Sequence, residues 1–265
     1  MDLSIVIVNW NTEKLLMNCI NSIKNETRNI SYEIIVYDNN SHDGSIRYIE
    51  EIYDDIIIIK GKENLGFSKA NNRAVEVANG KYILLLNPDT IIIENSIEKT
   101  FEFMKKIKNE NALVGCKLLN KDLSIQLSAA CFPTLYNYTI GKTSDIEMNS
   151  YTHECDWIMG AFMMLSKDLY KRVNGFEEVY FMYCEDMDLC YKINKNLGQV
   201  YFFNDAKTIH LYNQSGEKKW KGNREKELKK STFIFLEKNI RNIVNRNMLK
   251  FIYNSKYLIK KYLMK

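Results

Sequence analysis

Proline is almost missing from this chain: Pro88 and Pro133 are the only two in 265 residues. No segment is rich in Gly, Ser or Pro, so the sequence shows no composed linker, no disordered arm and no internal repeat. The six cysteines are scattered and none forms a C-x-x-C pair. That argues against a disulfide framework and for free thiols in a reducing compartment. Long apolar runs are also missing. The longest, Ile56–Ile59 and Tyr82–Leu86, fall far short of the ~20 residues that a spanning helix needs. The opening MDLSIVIVNW carries no basic leader, so no signal peptide is expected. The expectation is a cytoplasmic protein, soluble or peripheral at the inner face of the cytoplasmic membrane. No G-x-G-x-x-G opens the first helix, which argues against a dinucleotide oxidoreductase. No glycine-rich loop with a basic residue follows the first strand, which argues against a sugar nucleotidyltransferase.

What is present is a globular balance, 46% apolar and 26% charged residues, on a chain long enough for one large α/β domain. The net charge of +4 is uneven. From Glu217 to Lys265 there are 15 basic residues against 4 glutamates, a net of +11, which leaves −7 on the first 216 residues.

The first half alternates by period. Leu3–Val8, Tyr32–Tyr37, Ile56–Ile59, Tyr82–Leu86 and Ala112–Leu118 read as strands. Glu13–Lys24, Ser45–Tyr53, Phe67–Asn79 and Ile97–Lys108 read as helices. Thr12 is placed as an N-cap and Gly80 as a helix stop. Strand, helix, strand with short loops predicts a parallel sheet covered on both faces. Ligands bind such sheets at the carboxyl ends of the strands, and polar residues gather there: Asn9, Asn11, Asp38, Asn39, Asn64, Asn87 and Asp89. The second half is less regular. Ser124–Ala130 reads as a strand, residues 133–154 as a long loop, Lys167–Asn174 and Glu185–Leu197 as helices, and Val200–Phe203 and Ala206–Leu211 as two short strands.

Three features carry chemistry. Asp89 ends the fourth strand behind Pro88, which fixes the turn and aims the carboxylate outward. It suits a divalent cation beside phosphates, or simply a helix cap. Glu185, Asp186 and Asp188 crowd a helix start. They complement the helix dipole, or they form a catalytic group whose basicity is raised by Phe176, Tyr180, Phe181 and Tyr183. His210, one of only three histidines, is a structural residue or a metal ligand.

These residues lie in stretches that together resemble the family 2 glycosyltransferases of the GT-A fold, most of all the bacterial rhamnosyltransferase-like branch. The stretches are SIVIVNWN from Ser4, IVYDNNSHDGS from Ile35, NLGFSKANN from Asn64, LLNPDT from Leu85, WIMGA from Trp157 and FMYCEDMDL from Phe181. Each alone is weak, but all six run in the family's order from residue 4 to about residue 215. The resemblance implies a Rossmann-like, mostly parallel sheet flanked by helices. Residues 1–215 would be the catalytic domain, divided into a nucleotide-binding half (1–110) and an acceptor-binding half (111–215). Residues 216–265 would be a basic amphipathic helical extension.

It also implies an inverting transferase of the hexosyltransferase class. Asp38 would bond the donor's base, and Asn9, Asn11 and Asn40 would line the nucleoside pocket. Asn64, Gly66 and Asn71 would lie near the ribose and diphosphate. Asp89 would be the last aspartate of the family's D-x-D signature, written here N-P-D with Asn87 in the first position. Asp89 and His210 would hold Mg²⁺ or Mn²⁺. Asp186 would be the general base with Glu185 beside it, and Trp157, Gly160 and Glu185 would shape the acceptor pocket. The favoured donor is dTDP-L-rhamnose, with UDP-GlcNAc, UDP-Glc or UDP-Gal as alternatives. The acceptor is a glycan precursor, expected to be lipid-linked.

From Lys218 onward, Lys and Arg alternate with large apolar residues. That suits docking on an anionic membrane, or a helical pair packed on the catalytic domain with its lysines in water. A nucleic-acid-binding module built on this tail is the non-enzyme alternative.

Overall fold

The computed structural model describes residues 1–107, 109–140, 144–196, 198–211 and 224–263. The first half follows the expected alternation: β1 (Leu3–Asn9), α1 (Glu13–Glu26), β2 (Tyr32–Asp38), α2 (Ser45–Ile52), β3 (Ile56–Lys60), α3 (Gly66–Glu76) and β4 (Tyr82–Leu86). A short β5 (Thr90–Ile92), α4 (Ser96–Lys106) and β6 (Ala112–Leu119) come next. β1 pairs in parallel with β2 on one side and β4 on the other, and β3 pairs in parallel with β2. All of β1 is buried. Its alternate side chains feed two cores, as period-two geometry requires. Leu3, Ile5 and Ile7 meet Leu16, Ile20 and Ile23 of α1, while Val6 and Val8 meet Ala70 and Ala74 of α3.

The second half holds the departures. Ser124–Ala130 is not one strand but two fragments, β7 (Ile125–Gln126) and β8 (Ala129–Ala130). The stretch read as a loop contains α5 (Leu135–Ile140) and the start of β9 (His153–Cys155), and β10 (Trp157–Ile158) follows. Apolar Phe162–Ser166 forms β11, an element the periodic reading passed over. After it come α6 (Lys167–Arg172), α7 (Glu185–Asn196) and a single strand β12 (Gln199–His210). A register shift between Phe203 and Lys207 gave β12 the look of two strands in the sequence. β11 inserts antiparallel between β4 and β6, and β12 continues in parallel beside β6. The main path runs β3-β2-β1-β4-β11-β6-β12-β5, so one sheet crosses both expected halves.

Two capping expectations also change. The Thr12 hydroxyl donates to Asn9 Oδ1 at 2.6 Å, and Asp43 Oδ2 accepts from the first helical N–H, that of Glu13, instead. α3 stops at Glu76, so Gly80 does not cap it. Gly80 is small because β1 passes close by: a Cβ there would lie 2.4 Å from the Ser4 nitrogen.

The C-terminal part forms α8 (Arg224–Asn239) and α9 (Ile243–Leu263). Phe235 and Leu236 of α8 and Leu249 of α9 are buried with Tyr180 and Met187. The helices therefore pack on the catalytic body. The expected boundary at 215/216 lies outside the described residues. Among the described residues, no helix is long and apolar enough to cross a membrane.

Candidate active site

The tips of β1 and β2 are locked together. Asn9 is fully buried, and its Nδ2 donates to Asp38 Oδ1 (2.8 Å), Ser41 Oγ (3.0 Å) and Ser45 Oγ (2.8 Å). Its Oδ1 accepts from Thr12. Asn9 is thus spent on the protein and acts through Asp38. Asp38 accepts a second bond at Oδ2 from the Ser41 N–H (2.9 Å), and each oxygen still has acceptor capacity. Asn11 (φ 54°) and Asn40 (φ 60°) take left-handed backbone beside it. Asn11 Oδ1 accepts from the His42 N–H, while its buried Nδ2 makes no hydrogen bond.

The loop into α3 is tied to this corner and to the far side of the site. Asn39, which the sequence placed at a strand end without assigning a role, accepts from the Leu65 N–H and donates to the Gly66 carbonyl. Asn64 Oδ1 accepts from the Gly66 N–H. Gly66 has φ +80°, and a Cβ there would lie 2.4 Å from the Phe181 carbonyl oxygen. That carbonyl accepts the Phe67 N–H at 2.9 Å. Asn71 is buried and its Nδ2 donates to the Phe67 carbonyl within its own helix.

Asp89 and His210 meet although 121 positions apart. Asp89 points inward, not outward as expected from the turn, and is 3% exposed. His210 Nε2 lies 3.3 Å from Asp89 Oδ1 and 3.4 Å from Asn87 Nδ2. Antiparallel pairing of β12 with β5 brings them together. Gln126, which local pattern did not flag, sets the ring's state. Its Nε2 donates to the His210 carbonyl (3.3 Å), so its Oε1 accepts from His210 Nδ1 (2.6 Å). That pairing places a proton on Nδ1 and turns Nε2 toward Asp89. Asp89 Oδ1, buried, accepts no hydrogen bond. A carboxylate oxygen and an imidazole lone pair converging in a buried spot suit a shared divalent cation. Among the described residues no third His, Cys, Asp or Glu joins them, so the remaining ligands would come from a bound molecule such as a diphosphate.

The acidic cluster sits behind strained backbone. Tyr183 (φ 72°) and Cys184 (φ 65°) are consecutive left-handed residues just ahead of α7, a costly conformation for side chains of this size. Asp186 Oδ2 accepts from the Gly160 N–H and Oδ1 from the Met187 N–H, both at 2.8 Å. A Cβ on Gly160 would lie 3.2 Å from Asp186 Cβ, a tight contact that would push the carboxylate back by a few tenths of an ångström. Burial raises the Asp186 carboxyl above the usual aspartate range, and the two N–H bonds oppose the rise. Glu185 is 7% exposed and its Oε2 has no partner. Burial, and then the charge of Asp186, push it well above the usual range. Burial thus disfavours the charged form of both carboxyls, and each charge opposes ionisation of the other.

The aromatic wall is only partly as expected. Tyr180 is buried beside Met187, but Phe176 packs edge-on against Phe67 of α3. Trp157 is half-buried, with its Nε1 donating to the Cys131 carbonyl. Asp188 turns away from the site and is fully buried among Lys238 Nζ (2.9 Å), Asn239 Nδ2 (2.7 Å) and the Tyr180 hydroxyl.

One chain of backbone contacts unites the two acidic centres. The Asn87 N–H donates to the Ala161 carbonyl, and neighbouring Gly160 donates to Asp186. The strand tip that carries Asp89 is therefore linked to the Asp186 carboxylate through the Gly160–Ala161 peptide, at the carboxyl end of β4, the end at which open α/β sheets bind ligands.

Known proteins share both sequence and fold. The rhamnosyltransferase WbbL of Escherichia coli (strain K12) is 28% identical over 260 residues, covering 92% of this chain and 95% of its own. An N-acetylglucosaminyl-diphospho-decaprenol L-rhamnosyltransferase of Mycobacterium tuberculosis (strain CDC 1551 / Oshkosh) is 23% identical over 203 residues, covering 67% of this chain and 66% of its own. The structure of S. aureus TarS 1–349 superposes with a TM-score of 0.62 at 14% identity, covering 95% of this chain and 69% of the other. GalNAc-T7 with UDP, GalNAc and Mn²⁺ superposes with a TM-score of 0.63 at 15% identity, covering 80% and 44%. These likenesses establish the GT-A fold. Residues 4–173 match the model of glycosyl transferase family 2. The chain belongs to that family and is a glycosyltransferase, which removes a nucleic-acid-binding module as the alternative to an enzyme.

Proposed function

We propose that this glycosyltransferase moves a sugar from a nucleoside diphosphate to an acceptor hydroxyl with inversion, Asp186 acting as base. The observation that supports this reading is the link Asn87–Ala161–Gly160–Asp186, two hydrogen bonds that tie the Asp186 carboxylate to the strand tip carrying Asp89. Asp38, held by Asn9 and Ser41, accepts from the donor's pyrimidine. Asn64 and Gly66 shape the backbone beside the diphosphate. Asp89 and His210 would hold Mg²⁺ or Mn²⁺, which when bound offsets charge on the departing diphosphate. Asp186 takes the proton of the attacking hydroxyl. Glu185, whose charged form burial disfavours, is able in its protonated form to donate to an acceptor oxygen, while Trp157 and Gly160 bound the acceptor side. A single base without a covalent nucleophile gives a single displacement and inversion.

L-rhamnose from dTDP is the favoured donor, supported by the two rhamnosyltransferase relatives. UDP-GlcNAc, UDP-Glc or UDP-Gal is the second reading. The acceptor is a lipid-linked glycan precursor at the inner face of the cytoplasmic membrane. Residues 1–215 form the catalytic domain, with 1–110 serving the donor and 111–215 the acceptor, and 216–265 form the extension.

Calorimetry of dTDP and UDP, with and without Mn²⁺, tests the donor site. Metal-dependent binding that Asp89→Ala weakens is the expected result. A folded protein that binds neither nucleotide would overturn the reading.

A further inference from the structure

The outward face of α9 is built differently from the rest of the surface. Val244, Met248, Phe251 and Leu258 are 61%, 48%, 72% and 51% exposed. They recur at intervals of four, three and seven residues, which places all four within an arc of about 80° on the helix. Nothing among the described residues covers this stripe. The opposite face is committed to the protein. Leu249 is buried with Tyr180, Met187, Phe235 and Leu236, and Tyr253 meets Phe233 edge-on.

Charge identifies the occupant. From Arg241 to Lys265 there are seven Lys or Arg and not one Asp or Glu. Lys250 pairs with Glu237 of α8, and the segment keeps an excess of positive charge that a second copy of this chain would bring again to a shared face. An amphipathic helix with an apolar stripe and basic flanks suits a surface that is apolar below and anionic above. Among the described residues no helix is long and apolar enough to span a membrane, so the helix would lie in the interface.

We propose that α9 docks on anionic lipid through Val244, Met248, Phe251 and Leu258, with the lysines and arginines of residues 241–256 reaching phosphate headgroups. The docking has a catalytic consequence. Met187, in the cluster under α9, follows Asp186 directly in α7. Ser231 and Lys238 of α8 bond the same segment, through the Met182 carbonyl and Asp188. About one helix diameter, ~10 Å, with a layer of side chains, then separates lipid from the base-bearing loop. An acceptor anchored in that bilayer is presented to Asp186 without leaving it. This deepens the reading of a lipid-linked acceptor and rests on it, while lipid binding itself is measured apart from turnover.

The test is flotation of the full chain with vesicles of phosphatidylcholine alone and of phosphatidylcholine with phosphatidylglycerol in equal parts. Dye-labelled vesicles report the bound fraction. The protein should float with the anionic vesicles only, and high salt should release it. Met248→Ser combined with Phe251→Ser should weaken binding by roughly tenfold or more and leave melting temperature and nucleotide binding unchanged, since both side chains face solvent. No flotation, or equal flotation with neutral vesicles, would overturn the proposal. So would lipid-free sedimentation showing a dimer that this double variant abolishes. Flotation by a protein that binds no nucleotide would retain the docking surface and sink the donor site instead.

Discussion

Gln126 holds His210 by two bonds at once, donating to its carbonyl and accepting from its ring Nδ1. A two-residue strand thereby fixes which imidazole nitrogen faces Asp89. Without Gln126 the ring is free to rotate and to change tautomer. Gln126→Leu should therefore weaken Mn²⁺-dependent nucleotide binding by about 10- to 100-fold. Binding in the absence of metal should change little. Calorimetry of the variant with and without Mn²⁺ checks this, and an unchanged metal dependence would remove Gln126 from the site.

Asp186→Asn preserves the shape of the side chain and an oxygen for the Gly160 N–H but removes the base. Turnover should fall by about a hundredfold or more, while nucleotide affinity stays near that of the wild type. Because Asp186 lies above the ordinary aspartate range, wild-type kcat/KM should decline on acidification through a correspondingly raised pKa. NMR of the product should show an inverted anomeric centre, and retention would sink the single-base mechanism.

Glu185 should leave a signature in stability against pH. Its folded carboxyl binds a proton more tightly than in the unfolded chain, because burial and Asp186 disfavour its charge. Its stabilising contribution is complete below the unfolded value of about 4.3 and is lost as pH rises through the folded value. Glu185→Gln has no such loss. The melting temperature of the variant minus that of the wild type should rise with pH from about 4.3 upward. Thermal scans across that range decide it, and a flat difference would mean the carboxyl is not buried in its neutral form.

Asp188→Ala removes a fully buried carboxylate and leaves Asn239 Nδ2 and the Tyr180 hydroxyl without their acceptor. Lys238 is one-third exposed and can turn to water. The expected loss is about 2 kcal/mol, a fall of ~4–8 °C in melting temperature. Because this carboxylate joins α7 to α8, kcat should fall along with stability. Calorimetric melting alongside turnover measures both.

Gly66→Ala puts a methyl against the Phe181 carbonyl oxygen at a backbone φ of +80°. The Phe67–Phe181 bond must lengthen or break, at a cost of about 1–3 kcal/mol. The loop that leads to Asp186 shifts with it. Loss of stability together with a raised KM for the donor is the expected pair of results, read by thermal melting and steady-state kinetics.

Much of this is legible in the sequence. β1, β2 and β4 are apolar runs ended or followed directly by Asn or Asp, and a parallel sheet buried on both faces requires such runs. The same residues mark the strand tips where a ligand binds, so Asp38, Asp89 and the Glu185–Asp186 pair stand out without help. β11 was passed over because Phe162–Leu165 is a short apolar run with neither alternation nor a turn signal to bound it. β12 was divided because a bulge interrupts its pattern without ending it. Gln126 carries no local signal: a lone glutamine becomes informative only when β6, β7 and β12 bring it to a histidine 84 positions away.

The sequence by itself determined the layers of the fold and the identity of the strand-tip groups, since these follow from hydrophobic period and local turn chemistry, while the family rests on the six motifs in their order and on the match over residues 4–173. Only the tertiary structure decided how those groups are used. It spent Asn9 on holding Asp38, turned Asp89 inward to His210, gave Asp186 the N–H groups of Gly160 and Met187 while leaving Glu185 Oε2 without a partner, and used Asp188 to anchor α8. It also decided which side of the basic C-terminal helix is packed and which is bare. The physical reason is shared by all of these: a side chain's charge state and availability depend on partners that are distant in the chain, and only packing brings them within hydrogen-bond reach.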